Sequence, residues 1–146
     1  MQSLHASARE LIDRRLVQET GLIHLALDHL NDESLESLDA LVREMDEASG
    51  WAQFHTLDVR FHRAIASMAH APAALDDYFS VTDALYAFYL PYPMSYLFTS
   101  NDEHRALAAA MRAGDRPQCH HLAARHVAVL HQTMFFGLTD ATGAED

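Results

Sequence analysis

The chain has no lysine, and all of its positive charge rests on ten arginines. Against these stand 21 acids, a formal net charge of −11. Such an excess argues against gripping nucleic acid through a general positive field. A single cysteine, Cys119, excludes an internal disulfide and a thiolate zinc site, and reads as a small buried apolar residue. No apolar run approaches the roughly 18 residues that a membrane span needs. The opening MQSLHASARE lacks a basic stretch followed by an apolar one, so no secretory signal is read and a cytoplasmic location is expected. There is no Gly-x-Ser-x-Gly elbow, no phosphate-cradling glycine loop and no setting that favours a thiolate. The paired Glu-x-x-His motifs of di-iron bundles are missing too, since Glu103 directly precedes His104.

What remains is a chain of 146 residues, 49% hydrophobic, with eleven histidines. It is long enough to form one domain and to bury roughly two-thirds of its unfolded surface. Five glycines and four prolines fall where helices should stop. The spacing predicts helices over about 4–30, 33–48, 51–69, 73–90, 101–113 and 116–136. Asn31-Asp32 reads as a stop and a new N-cap, Ser100-x-x-Glu103 as a capping box, Gly114 as a terminator and Asp115 as the next cap. The predicted fold is all-α, a single antiparallel bundle of six to seven helices over 1–146, with a helical core of about 4–136 and a frayed tail at 137–146. Helices one and two, and five and six, are expected to form short-loop hairpins.

Asp58 and His62 lie four apart on helix three, about 40° apart around its axis, flanking the stripe of Leu57, Phe61 and Ile65. His104 stands nine residues before Ala113, roughly 14 Å of helix, and His126 ten residues after Arg116, roughly 15 Å back. The two histidines therefore sit at one height on neighbouring antiparallel helices, each with apolar residues of its own face. Asp58, His62, His104 and His126 can reach one interior point. One oxygen and three imidazole nitrogens suit a divalent transition metal, zinc first, with nickel, manganese or iron as alternatives. Bland readings stand beside this: a surface i,i+4 pair for Asp58 and His62, a solvated first-turn residue for His104, and a satisfied core histidine for His126. Tyr86, Phe88 and Tyr89 read as core packing, with a phenol lining a ligand pocket as the alternative. The other histidines show no comparable convergence.

In their order these residues resemble the FCD domain, the C-terminal effector-binding domain of GntR-type transcription regulators of the FadR subfamily. The pieces are Asp58-x-x-Phe61-His62, Glu103-His104 followed by Ala110 and Gly114-Asp115, then His126, with Arg15-x-x-x-Glu19 on the first helix. They span about 10–135. The resemblance implies an all-α bundle and a divalent metal on Asp58, His62, His104 and His126. It implies a small carboxylate metabolite completing the coordination, with Arg15 as its partner; Tyr86 and Tyr89, from the aromatic cluster, are further effector-binding candidates, and a homodimer is expected of the sensor. The family's winged helix is expected to lie outside this chain, which by itself would then not bind DNA. Where the family often carries Gly-Asn after helix three, this chain reads His70-Ala71-Pro72, so that turn is expected to differ. The leading expectation is a metal-dependent metabolite sensor without enzymatic activity; the alternative is a small metalloenzyme, a hydrolase or lyase, using the same Asp/His site.

Overall fold

The computed structural model describes residues 2–134, with side chains from residue 6 onward. The helices are α1 (Gln2–Ala26), α2 (Asp32–Asp46), α3 (Trp51–Ser67), α4 (Pro72–Tyr86), α5 (Met94–Ala113), α6 (Arg116–Ala128) and a single turn, α7 (Leu130–Gln132). No strand occurs among the described residues. The architecture is the all-α bundle that the periodicity predicts. No helix among the described residues is long and apolar enough to cross a membrane.

Local chemistry sets the boundaries. Asn31 caps α2 by accepting from the Ser34 amide at 2.8 Å, and the Ser34 hydroxyl accepts from the Asn31 amide at 3.2 Å. Gly114 ends α5 at φ 69°, a left-handed conformation that glycine adopts without a Cβ clash. Asp115 then accepts from the Gln118 amide at 3.2 Å, with Pro117 in the first turn of α6. His70 takes the left-handed turn between α3 and α4 at φ 55°, one residue before the break that Pro72 enforces.

Five expectations need correction. The capping box at Ser100 does not exist: α5 starts at Met94 behind Pro93, and Ser100 and Glu103 lie inside it. The reason is the buried stripe Leu97, Asn101, His104, Leu107 and Met111, which is continuous only if one helix carries it throughout. α1 stops at Ala26 rather than Leu30, and α4 at Tyr86 rather than Leu90, the one residue of that stretch that Pro91 directly bars from the helical region. The last helix breaks at Val129; residues 135 and 136, and the tail 137–146, lie outside the described residues. Finally, α5 and α6 pack as a hairpin, but α1 and α2 do not. α1 packs on α6 and α4, and α2 on α3 and α5. The apolar stripe of α2, Leu35, Leu38, Val42 and Met45, joins the main core built around Phe54, Phe61, Leu107 and Met111.

α3 therefore stands between α1, α2, α4 and α5. Its buried face carries Phe54, Leu57, Phe61, His62 and Ile65. Polar side chains on that face can meet partners from three other helices, which is what builds the site.

Candidate metal centre and its cleft

Asp58 and His62 on α3, His104 on α5 and His126 on α6 come together. One ligand atom from each lies within 4.8 Å of the others, the one such group of His, Cys, Asp or Glu found among the described residues. His62 and His104 are buried; Asp58 and His126 are partly buried, and they line an adjoining cleft.

Each histidine is held through Nδ1. That of His62 donates to Glu19 Oε1 at 2.8 Å, and that of His126 to Glu103 Oε1 at 2.7 Å. His104 Nδ1 lies 3.1 Å from Asn101 Oδ1. Asn101 is itself oriented, its amide nitrogen donating to the Val42 carbonyl at 3.0 Å and to Asp46 at 2.8 Å, so its oxygen accepts from His104. All three rings thus carry a proton on Nδ1 and present Nε2 inward, the arrangement by which outer partners orient metal-ligating imidazoles.

The inward atoms have no hydrogen-bond partners. Asp58 Oδ1, His62 Nε2 and His104 Nε2 are buried and make no hydrogen bond. Asp58 Oδ1 nevertheless stands 3.2 Å from the first nitrogen and 2.9 Å from the second. Lone pairs this close repel unless a proton or a cation lies among them. The donor set, three imidazoles and one carboxylate, fits a divalent transition metal. Asp58, His62, His104 and His126 are the residues that would hold it.

The electrostatics fit too. Burial alone would raise the Asp58 pKa, but His62 and His104 hold it well below the carboxylate range. Burial would lower that of His62, yet Glu19 and Asp58 on either side push it up to about 9. His104 has less compensation, and burial drives it down to about 4. With no cation bound, one proton on His62 supplies part of the missing positive charge.

Beyond Asp58 and His126 opens a cleft of about 570 Å³, part of it open to solvent. Arg15, Tyr89 and Glu103 line it near the metal centre. Arg15 is buried, pairs with Glu19 through Nε and donates from Nη1 to the Tyr89 hydroxyl at 2.9 Å. Tyr86 is not among the lining residues; it stands edge-on to His55 and Tyr89, at 87° and 74°. The Arg15 guanidinium carbon lies 5.9 Å from the Tyr86 ring centre.

Glu19, Asn101 and Glu103 are the hydrogen-bond partners of the three rings, a part that sequence reasoning did not assign them. Glu19 and Glu103 were legible only as members of the Arg15-x-x-x-Glu19 and Glu103-His104 pieces. Asn101 was legible as an amide three residues before His104, the spacing at which its oxygen meets the ring. The remaining histidines include two contacting pairs, His24 with His120 at 3.1 Å and His29 stacked on His70 at 4.2 Å, both away from the centre.

The family model of the FCD domain matches residues 10–129, so the chain belongs to the FCD domain family, a domain of transcription regulators. Among solved structures, the chain is similar to E. coli McbR/YncC at 20% identity and a TM-score of 0.78, covering 87% of this chain and 67% of that one. It is also similar to the metal-free FCD domain of TM0439 at 16% identity and a TM-score of 0.76, covering 93% and 96%. At these identities the likeness shows the fold. No curated protein matches the sequence.

Proposed function

We propose that this domain is the metal-dependent sensor of a transcription regulator. Asp58, His62, His104 and His126 would hold one divalent cation, zinc first, and a small carboxylate metabolite would bind in the cleft beside it. The observation that carries this reading is the convergence of three buried, partnerless acceptor atoms next to a cleft that contains a guanidinium.

Charge explains why the two ligands belong together. Around the centre, Glu19, Asp58 and Glu103 face Arg15, an excess of two negative charges that the proton on His62 halves when no cation is bound. A carboxylate entering that field is repelled. A divalent cation cancels the excess and, when bound, supplies a Lewis-acidic site for an anion. Arg15 and the Tyr89 hydroxyl stand on the same cleft and can orient a carboxylate through the planar fork. The enzyme reading fits less well. Glu19 is engaged by Arg15 and His62, and Glu103 by His126, so neither is poised as a free general base.

In a full regulator, a metabolite that binds one arrangement of α1 and α4 more tightly than another would shift the placement of DNA-binding domains across a homodimer. Elemental analysis of the purified protein with native mass spectrometry tests the centre: one divalent ion per chain is expected. Acetate should bind the zinc-loaded protein and not the chelated one. A chain that retains no metal, and melts at one temperature with and without chelator, refutes the reading.

A further inference from the structure

We propose that the cleft beside the metal centre selects carboxylic acids that carry a planar aromatic ring two or three carbons from the carboxylate; this rests on the sensor reading above. Trp51, His55 and Asp58 occupy i, i+4 and i+7 on α3 and all line the cleft. Tyr96, Ser100 and Glu103 repeat that spacing on α5. Seven residues of helix rise about 10 Å. The cleft is therefore polarised. Its carboxylates lie at the metal end, and Trp51 and Tyr96 lie about two helical turns away.

The ring end is built of flat surfaces. Trp51 and His55 lie parallel within 4° at 5.3 Å, and Tyr92 and Tyr96 within 25° at 5.0 Å. Each pair already shows the centroid spacing of stacked aromatics, which a ligand ring placed against either face would extend. Hydrogen-bonding groups at that end are the Trp51 indole N–H, the His55 ring, the Ser100 hydroxyl and the phenols, of which the buried Tyr92 hydroxyl makes no hydrogen bond. A sugar acid must find partners for several hydroxyls among these groups, and each hydroxyl set against a ring face goes without one. A benzene ring makes no such demand.

The test uses the zinc-loaded chain, titrated calorimetrically with acetate, hexanoate, glucuronate and 3-phenylpropanoate. Trp51, the one tryptophan, is a second readout through its fluorescence. We expect 3-phenylpropanoate to bind about tenfold tighter than hexanoate and to change the Trp51 emission. Trp51→Leu and, separately, Tyr96→Leu should each remove most of that advantage while leaving zinc content and acetate affinity unchanged. Equal or tighter binding of hexanoate or glucuronate, or an undiminished preference in both variants, overturns the proposal while the sensor reading stands. Failure of every acid, acetate included, to bind the zinc-loaded protein overturns both.

Discussion

Glu19→Gln is the most informative single change. Glu19 touches both Arg15 and His62 Nδ1, so one carboxylate has two separable duties. The first is structural. The Arg15 side chain is 2% exposed and that of Glu19 12%, so removing the negative charge leaves a buried guanidinium with only a neutral acceptor. Breaking a buried ion pair from one side costs about 3 kcal/mol or more. For a domain of this size that lowers the melting temperature by about 6–12 °C. The second duty is to fix and polarise the His62 ring. Loss of such a partner typically lowers metal affinity about 10- to 100-fold. Calorimetric melting in excess chelator isolates the first effect, and competition with a chromophoric zinc chelator isolates the second. Glu103→Gln is the matched control. Its side chain is 35% exposed and it pairs with His126 alone at 2.7 Å, so it should weaken zinc binding while leaving the chelated protein almost as stable as before. If Glu19→Gln melts within about 2 °C of wild type in chelator, the buried-pair argument is wrong. If it binds zinc as tightly as wild type, the orienting role of Glu19 is wrong.

His62→Ala and His104→Ala should each abolish the stabilisation that zinc confers, and the double variant should lose little more than either single one; simple addition of the two losses would mean that the residues serve separate sites. In excess chelator, stability should fall as pH rises from about 6.5 to about 9, because His62 binds its proton more tightly in the folded state, so its contribution is complete below the unfolded value and is lost through the folded one. A flat melting temperature across that window counts against the placement of His62 between two carboxylates. Zinc uptake at pH 7.5 should release about one proton, read from calorimetric enthalpies in buffers of different ionisation heat. Gly114→Ala should destabilise by about 1 kcal/mol through its φ of 69° alone, since no heavy atom lies within 4 Å of the added Cβ, and zinc affinity should not change.

Helical period and turn chemistry made most of the fold legible, for an identifiable reason. Asn31, Gly114 and Asp115 act through backbone groups within three residues, so their effect is local and can be read from the sequence alone. Ser100-x-x-Glu103 has an equally good local pattern and was overridden. The burial of Leu97, with the hydrogen bonds that satisfy Asn101 and His104 on the same stripe, outweighs a cap, because a cap contributes about 1 kcal/mol and these together contribute more. Which helices pair was not legible for α1 and α2, since a short link fixes neighbourhood in sequence but not the face that each helix buries. At the centre, Asp58, His62, His104 and His126 could be found because helical rise places them at one height. Their Nδ1 partners could not, because Glu103 reaches His126 and Glu19 reaches His62 across helix interfaces whose rotation no periodicity specifies.

The missed residues change what the centre is for. Arg15, Glu19, His62, Asp58, His104, Asn101 and Asp46 form one unbroken run of polar contacts from α1 through α3 and α5 to α2. A cation held at Asp58 would close that run, so that holding the metal and holding four helices in register would be the same act. A carboxylate drawn toward Arg15 competes with Glu19 for the guanidinium. Any weakening of that pair returns Glu19 wholly to His62, strengthening the imidazole as a ligand while loosening α1. On the proposed reading, metal affinity and the seating of α1 would be coupled through one carboxylate, and the coupling would be reciprocal: an acid that tightens the metal would itself bind more tightly when the metal is present.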